Sequence, residues 1–170
     1  FDLNSLYPHL MMQYNISPEK LIPVSEVNKD LADLLKFGSP AYDKIINKEF
    51  DTSLLDRDNL TVTPNLMFFR KDSQGFFPAI LEDLYERRKS SKKKMIESQR
   101  MAEESTGVTK REYLNLVAKH NNDQLARKVQ LNSAYGALGN QYFRFFDSRI
   151  AESVTTSGQL SIRWIEKRFN

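Results

Sequence analysis

The chain has 170 residues, a net charge of +3 and no cysteine, which suits a single domain with roughly 70% of its unfolded surface buried and excludes a disulfide framework or a thiolate metal site. No apolar run approaches the roughly 20 residues of a membrane span, and His9 and His120 are too few and too scattered for a zinc site. The sequence starts at Phe1 with no signal-peptide pattern, so it is expected to be an excised piece of a longer, soluble protein of a reducing cytosol.

Residues 1–12 are apolar and read as a strand running into a turn at Tyr7-Pro8 and then a short helix, because proline disfavours the helical region for the residue before it. Residues 18–75 carry Pro18, Pro23, Pro40 and Pro64 and lack long periodicity. They read as an irregular insertion with short helices near 31–37 and a strand near 66–69. A long helix opens at Pro78, a residue favoured at the first helical position, and runs to about Glu104. At roughly 1.5 Å per residue it would be about 40 Å long. Ser105-Thr106-Gly107 breaks it. Thr109 and Glu112 form a capping box that starts a second long helix, which continues to about Leu138 with Gly139 as its stop. Two long helices joined by a short break should pair antiparallel as a hairpin.

The alternating aromatic run Gln141-Tyr142-Phe143-Arg144-Phe145-Phe146 reads as a strand. A last helix begins near Asp147 or Ser148. Its apolar stripe Ala151, Val154, Gly158, Ile162, Ile165 and Phe169 is expected to face the core, with the small Gly158 marking a close approach by another element. The fold class expected is α+β, mostly α.

Three clusters carry chemistry. On one helix Lys128, Asn132 and Tyr135 share a face, and Gly136 beside them leaves room for close approach. A cation, an amide and a ring make a poor core stripe, since burying the first two unpaired is costly. They suit a nucleotide, which offers phosphate, a polar edge and a flat ring. Arg88 and Lys92, four apart, put a planar fork of donors and a compact charge on one helix face, and both suit triphosphate oxygens. With Lys128 they are expected to converge near the base of the hairpin. They belong to the basic cluster Arg87, Arg88, Lys89, Lys92, Lys93 and Lys94, which reads either as a solvated helix face or as a surface for a polyanion. Asp2, in an otherwise apolar segment, is either exposed at a strand end or compensated by a divalent metal such as Mg²⁺ held together with substrate phosphates.

Together these residues amount to a family pattern. Ser5-Leu6-Tyr7-Pro8 behind Asp2 resembles motif A of the family B (polymerase alpha-like) DNA polymerases, and Lys128 with Asn132-Ser133-Ala134-Tyr135-Gly136 resembles their motif B. Within the family the sequence looks most like the replicative polymerases of T-even-type tailed phages. The similarity runs on through Gly139-Asn140, the aromatic run and Thr155-Thr156-Ser157-Gly158-Gln159, and is weakest over about 20–65.

The resemblance implies a DNA-directed DNA polymerase that transfers nucleotides from dNTPs to a primer 3′ end, under template direction, by a two-metal mechanism with Mg²⁺. Residues 1–20 and 139–170 would be a partial palm with short antiparallel strands. Residues 21–75 would be a palm insertion, and residues 76–138 a fingers hairpin. Asp2 would be a catalytic metal ligand, with the Leu3 carbonyl as a backbone ligand. Ser5, Leu6 and Tyr7 would offer backbone N–H groups to the β- and γ-phosphates, and the Tyr7 ring would exclude a 2′-hydroxyl. Arg88, Lys92 and Lys128 would grip the triphosphate, Lys128 as a catalytic residue too. Asn132 and Tyr135 would line the nascent base pair, and Gly136 would admit the template base.

His9 stands where many relatives have a small serine, and Asn4 precedes Ser5; both are departures that leave the named roles in place. The family's motif C, Asp-Thr-Asp, does not occur in the 170 residues, so the second catalytic carboxylate is expected on another segment and this piece is not expected to polymerise alone. The partners implied are dNTP, primer-template DNA, exonuclease and thumb domains and a sliding clamp, without a membrane, in the host-cell cytoplasm if phage-encoded. A reading from a different class is a non-catalytic basic helical-hairpin module that binds nucleic acid. It would need neither Asp2 nor Tyr7, and its affinity would follow salt and not divalent metal.

Overall fold

The structure, a computed structural model, describes residues 5–49 and 51–169. Its helices are α1 (Leu6–Gln13), α2 (Lys29–Ala32), α3 (Tyr42–Ile46), α4 (Ser53–Arg57), α5 (Phe76–Glu103), α6 (Gly107–Leu138) and α7 (Ser148–Phe169). Its strands are β1 (Leu21–Ile22), β2 (Leu60–Val62) and β3 (Phe68–Arg70). The class is α+β and mostly helical, as the sequence leads one to expect. Among the described residues no helix is long and apolar enough to cross a membrane. The chain divides into two compact units, Phe1–Ala79 with Ala134–Asn170, and Ile80–Ser133.

In the first unit, α1 begins at Leu6, so Tyr7 is helical and not extended as expected. Pro8 falls in the first turn, where a residue without an N–H forfeits no intrahelical bond. The residue ahead of the helix, Ser5, has a left-handed φ of 58°.

Within residues 18–75, expected to be irregular apart from short helices near 31–37 and a strand near 66–69, α2 and a 3-10 turn over Asp33–Phe37 fall near the expected helices and β3 near the expected strand. The strand β3 is the centre of a small sheet with its own core. The strand order is β1-β3-β2, both pairs antiparallel, with Phe68 opposite Ile22 on one side and Val62 on the other. Phe68 is fully buried among Ile22, Val27, Leu31, Leu60, Val62 and Leu66. Strands of two or three residues are too short to display an alternating period, so the sheet leaves no periodic trace in the sequence.

The helix α7 lies against α1. A Cβ at Gly158 would come within 3.1 Å of Tyr7 Cε1 and 3.7 Å of Leu10 Cδ1, which is the close approach that the glycine announces. The buried face follows the expected stripe only in part. Val154 and Gly158 are buried and Ala151 and Ile165 half-buried, but Ile162 and Phe169 are exposed, and the face is completed by Ile150, Ser153, Thr156, Ser157 and Leu160. The hydroxyls of Ser153, Thr156 and Ser157 donate to backbone carbonyls one turn earlier, at 2.8, 2.7 and 2.7 Å, so burying them costs little.

In the second unit, the less accessible residues recur in steps of three and four. They are Arg88, Ser91, Met95, Ser98 and Ala102 on α5, and Tyr113, Val117, His120, Gln124, Arg127 and Leu131 on α6. This is the seam of an antiparallel helix pair, and Arg127 Nη1 reaches across it to within 3.5 Å of Ser91 Oγ. Serine and alanine at the α5 positions leave a narrow, partly polar seam. The second helix opens at Gly107, ahead of the Thr109 capping box, with φ of 60° at the glycine.

Candidate functional site

The first unit brings together residues far apart in sequence. The Tyr7 ring, on α1, is half-buried and packs against Tyr135 near the end of α6, with centroids 4.8 Å apart and planes at 63°. Gly158 closes the other side of the same ring. Tyr7 is therefore held between α7 and the last turns of α6, with little freedom to swing. Leu6 and Tyr7 occupy the first turn of α1, where backbone N–H groups lack an acceptor within the helix. Such an N-terminus attracts negative charge. His9 Nδ1 donates to the Ser5 carbonyl at 2.8 Å, so the histidine ties down the left-handed residue that opens the helix. The expected ligands Asp2 and Leu3 lie outside the described residues. Among the described residues, no group of three His, Cys, Asp or Glu side chains is placed to hold a metal ion.

Gly136 follows Tyr135 on an exposed part of α6, and a Cβ built on it would meet nothing within 4 Å. The chain's own packing thus imposes no glycine there. The helix ends at Leu138, and Gly139 N–H donates to the Tyr135 carbonyl at 3.2 Å, as the stop signal implies.

The second unit sorts the basic cluster. Arg87 pairs with Asp83 at 2.8 Å, Lys89 with Glu86 at 3.6 Å, and Lys93 with Glu97 at 3.9 Å, all at helical spacings of three or four. These are the solvated ion pairs of a charged helix face, each worth a few tenths of a kcal/mol, about 0.3–0.5. Lys92 and Lys128 are exposed and take part in no ion pair among the described residues. Each follows a seam residue by one position, Ser91 and Arg127 respectively. In an antiparallel pair one step forward from the seam turns to the same side on both helices, so Lys92 and Lys128 flank the same edge of the hairpin. Arg88 is half-buried at the seam, and Asn132, four residues beyond Lys128, is exposed on the Lys128 side.

Residues not singled out from sequence position the start of α5. Asn15, left-handed at φ 55°, donates through Nδ2 to the Arg70 carbonyl at 2.6 Å and the Ser73 carbonyl at 2.9 Å, and accepts from Gly75 N–H at 2.8 Å. Phe76 N–H donates to Glu19 Oε1 at 2.8 Å and Phe77 N–H to Ser17 Oγ at 3.4 Å. Caps supplied from so far back in the chain explain why α5 opens at Phe76 and not at Pro78. Only the Asn15 and Gly75 residue types hint at them.

Expected as a strand, residues 141–146 instead form successive turns, with Phe143 N–H on the Asn140 carbonyl at 2.8 Å and Phe146 N–H on the Phe143 carbonyl at 3.0 Å. The alternation survives without a ladder: Phe143 and Phe145 turn inward against Phe76 and Phe77, with Phe76–Phe145 centroids 5.1 Å apart, while Tyr142 is exposed.

A family model described as DNA polymerase family B matches residues 1–168. The DNA-directed DNA polymerase of Escherichia phage RB69 is 30% identical, in an alignment covering 100% of this chain and 21% of that relative. The DNA-directed DNA polymerase of Enterobacteria phage T4 is 29% identical, over 100% of this chain and 22% of its own length. The chain thus spans about a fifth of the length of these relatives. Among solved structures, the family B DNA polymerase from the hyperthermophilic archaeon Pyrobaculum calidifontis superposes with a TM-score of 0.63 at 27% identity, covering 98% of this chain and 17% of that one.

Proposed function

The chain belongs to DNA polymerase family B, and from that premise we propose that it supplies the nucleotide-binding elements and one catalytic carboxylate of a DNA-directed DNA polymerase. Residues 1–20 and 139–170 are assigned to the palm, 21–75 to a palm insertion and 76–138 to the fingers. The observation that carries this reading is the packing of Tyr7 on Tyr135, which joins the motif A segment to the end of the motif B segment.

The roles follow from the chemistry of the residues. The first-turn N–H groups of α1, from Leu6 and Tyr7 with Ser5 before them, suit the β- and γ-phosphates of a dNTP. Tyr7, wedged between Gly158 and Tyr135, forms a rigid wall under the sugar, where a 2′-hydroxyl would clash. Lys92 and Lys128, unmatched by acids on one edge of the hairpin, and the planar Arg88 neutralise triphosphate charge. In phosphoryl transfer, such positioning and charge neutralisation are most of what a protein contributes. Lys128 also serves the transfer step by standing beside the departing pyrophosphate. Asn132 and Tyr135 bound the nascent base pair, and the open space over Gly136 receives the template base.

The donor set fits Mg²⁺: the Asp2 carboxylate and the Leu3 carbonyl are hard oxygen donors, and substrate phosphates complete such a shell. When bound, the metal would neutralise charge on the attacking and leaving oxygens. No Asp-Thr-Asp segment occurs in the 170 residues, so a second carboxylate would come from another segment. Primer-template DNA, exonuclease and thumb domains and a sliding clamp belong to the same proposal, as does action in the host-cell cytoplasm.

Titration of a dNTP into the 170-residue chain with Mg²⁺ is expected to show weak binding that falls at least about tenfold in Lys128→Ala, since a contact to a charged group contributes about 1.5–3 kcal/mol. Equal binding by variant and parent would refute the role given to Lys128. The chain alone is expected to extend no primer; extension above that of an Asp2→Ala control would show otherwise.

A further inference from the structure

The second unit carries another cationic surface, on the side of the seam away from Lys92 and Lys128. Arg87, Ser91 and Lys94 of α5 and Lys119, Asp123 and Arg127 of α6 line a groove of about 380 Å³ between the two helices. Arg127 is half-buried at its floor, with Nη1 donating to the Asp123 carbonyl at 2.9 Å and lying 3.5 Å from Ser91 Oγ, so its guanidinium is fixed in place. Arg87 is matched by Asp83 at 2.8 Å. Lys94, Lys119 and Arg127 enter no ion pair among the described residues, although their neighbours Lys89 and Lys93 do. Asp123 is the one acid on the groove wall.

Three cations against one acid repel one another unless an anion sits among them. The anion must also be extended. Lys94 and Lys119 lie towards one end of the groove and Arg87 and Arg127 towards the other, about seven residues or roughly 10 Å apart along the helix axis. A single phosphate does not span that distance. Tyrosine, tryptophan and phenylalanine are absent from the lining, whose one ring is the half-buried His120 of α6, so a row of bases finds no extended stacking platform. We propose that this groove binds a row of phosphates without regard to sequence, as offered by a single-stranded nucleic-acid backbone or by a free polyphosphate. The site goes beyond the nucleotide site and does not depend on it.

The test uses the 170-residue chain, a short labelled oligothymidylate without divalent metal, and fluorescence anisotropy between about 50 and 200 mM salt. Each single-strand phosphate contact contributes about 0.7 to the slope of log K against log salt, so Lys94→Ala/Lys119→Ala is expected to lower that slope by about 1.4. Asp123→Asn is expected to bind more tightly, and circular dichroism of both variants should match the parent. Calorimetric titration with an inorganic polyphosphate long enough to span the groove separates the sources. Heat that disappears in the double variant assigns the groove to free polyphosphate; heat that is absent or unchanged in the double variant, beside weakened oligonucleotide binding, assigns it to a strand. Oligonucleotide and polyphosphate binding both unchanged in the double variant would overturn the proposal. Mg²⁺-dependent dNTP binding should stay at the parent value in the double variant, so failure of this site and failure of the nucleotide site are seen separately.

Discussion

Replacing Gly136 by alanine sets stability against the proposed role of the site. The residue lies in the last turn of α6, where a Cβ meets nothing within 4 Å and the backbone is helical. Alanine removes the extra freedom that glycine has in the unfolded chain, worth about 0.5–1 kcal/mol in a helix interior. Near a helix end the gain should sit at the lower limit, about 0.5 kcal/mol. For a chain of this length 1 kcal/mol moves the melting midpoint by about 2–4 °C, so Gly136→Ala should melt about 1–2 °C above the parent. The added methyl group would occupy the space proposed for the template base. Carried into a complete polymerase, the same change should therefore slow template-directed incorporation while the protein becomes more stable. Scanning calorimetry of the 170-residue chain reads the first effect, and single-turnover primer extension reads the second. A lowered midpoint would show that the site is not open as described. Incorporation at the parent rate would refute the role given to Gly136.

Three further outcomes are expected. Gly158→Ala should cost about 1 kcal/mol in the parent, because the methyl group falls 3.1 Å from a Tyr7 ring that Tyr135 confines, and should turn stabilising in a Tyr7→Ala background. Urea unfolding of the four proteins measures that coupling, and identical costs in both backgrounds would count against the ring contact. Asn15→Ala should cost about 2–3 kcal/mol, since it strips partners from the Arg70 and Ser73 carbonyls and the Gly75 N–H; a loss under 1 kcal/mol, about one ordinary hydrogen bond, would show that the turn before α5 holds without it. Asp147 accepts from Arg149 N–H at the start of α7, so Asp147→Ala should cost about 1 kcal/mol at neutral pH. Hydrogen bonds from the Arg149 side chain hold the Asp147 carboxyl below its ordinary range. A depressed value means that its contribution is complete above the unfolded value near about 4 and is lost as pH falls through the folded one. Urea midpoints of parent and variant should then converge on acidification below about pH 4, and a constant difference would show that the charge plays no part.

What was legible in the sequence follows the range of the interactions involved. The periods of α5, α6 and α7 persist over many turns, so the long helices and the α+β, mostly α class could be read directly. The pairing of β1, β3 and β2 could not, because the strands are too short for a period and Leu21 and Ile22 of β1 find their partners, Phe69 and Phe68, only far along the chain. The α7 stripe was read correctly at Val154 and Gly158 and missed the rest of the buried face for a different reason. Polarity stood in for exposure, yet hydroxyls that bond back to their own helix are buried at little cost, as Ser153 and Ser157 are.

The candidate site divides along the same line. Lys92 and Lys128 stood out by residue type and spacing, but only the ion pairs that occupy Arg87, Lys89 and Lys93 separate the cations left without acids from those of a solvated face. Charge clustering in a sequence counts cations; availability depends on which acids lie three or four residues away. The packing of Tyr7 on Tyr135 was beyond any spacing rule, because it is made by α1, α6 and α7 together. A ring fixed from two sides can act as a wall, whereas a ring on a free surface would yield to a hydroxyl. If Tyr7 discriminates sugars, its selectivity should therefore depend on Tyr135 and Gly158 as much as on the ring itself.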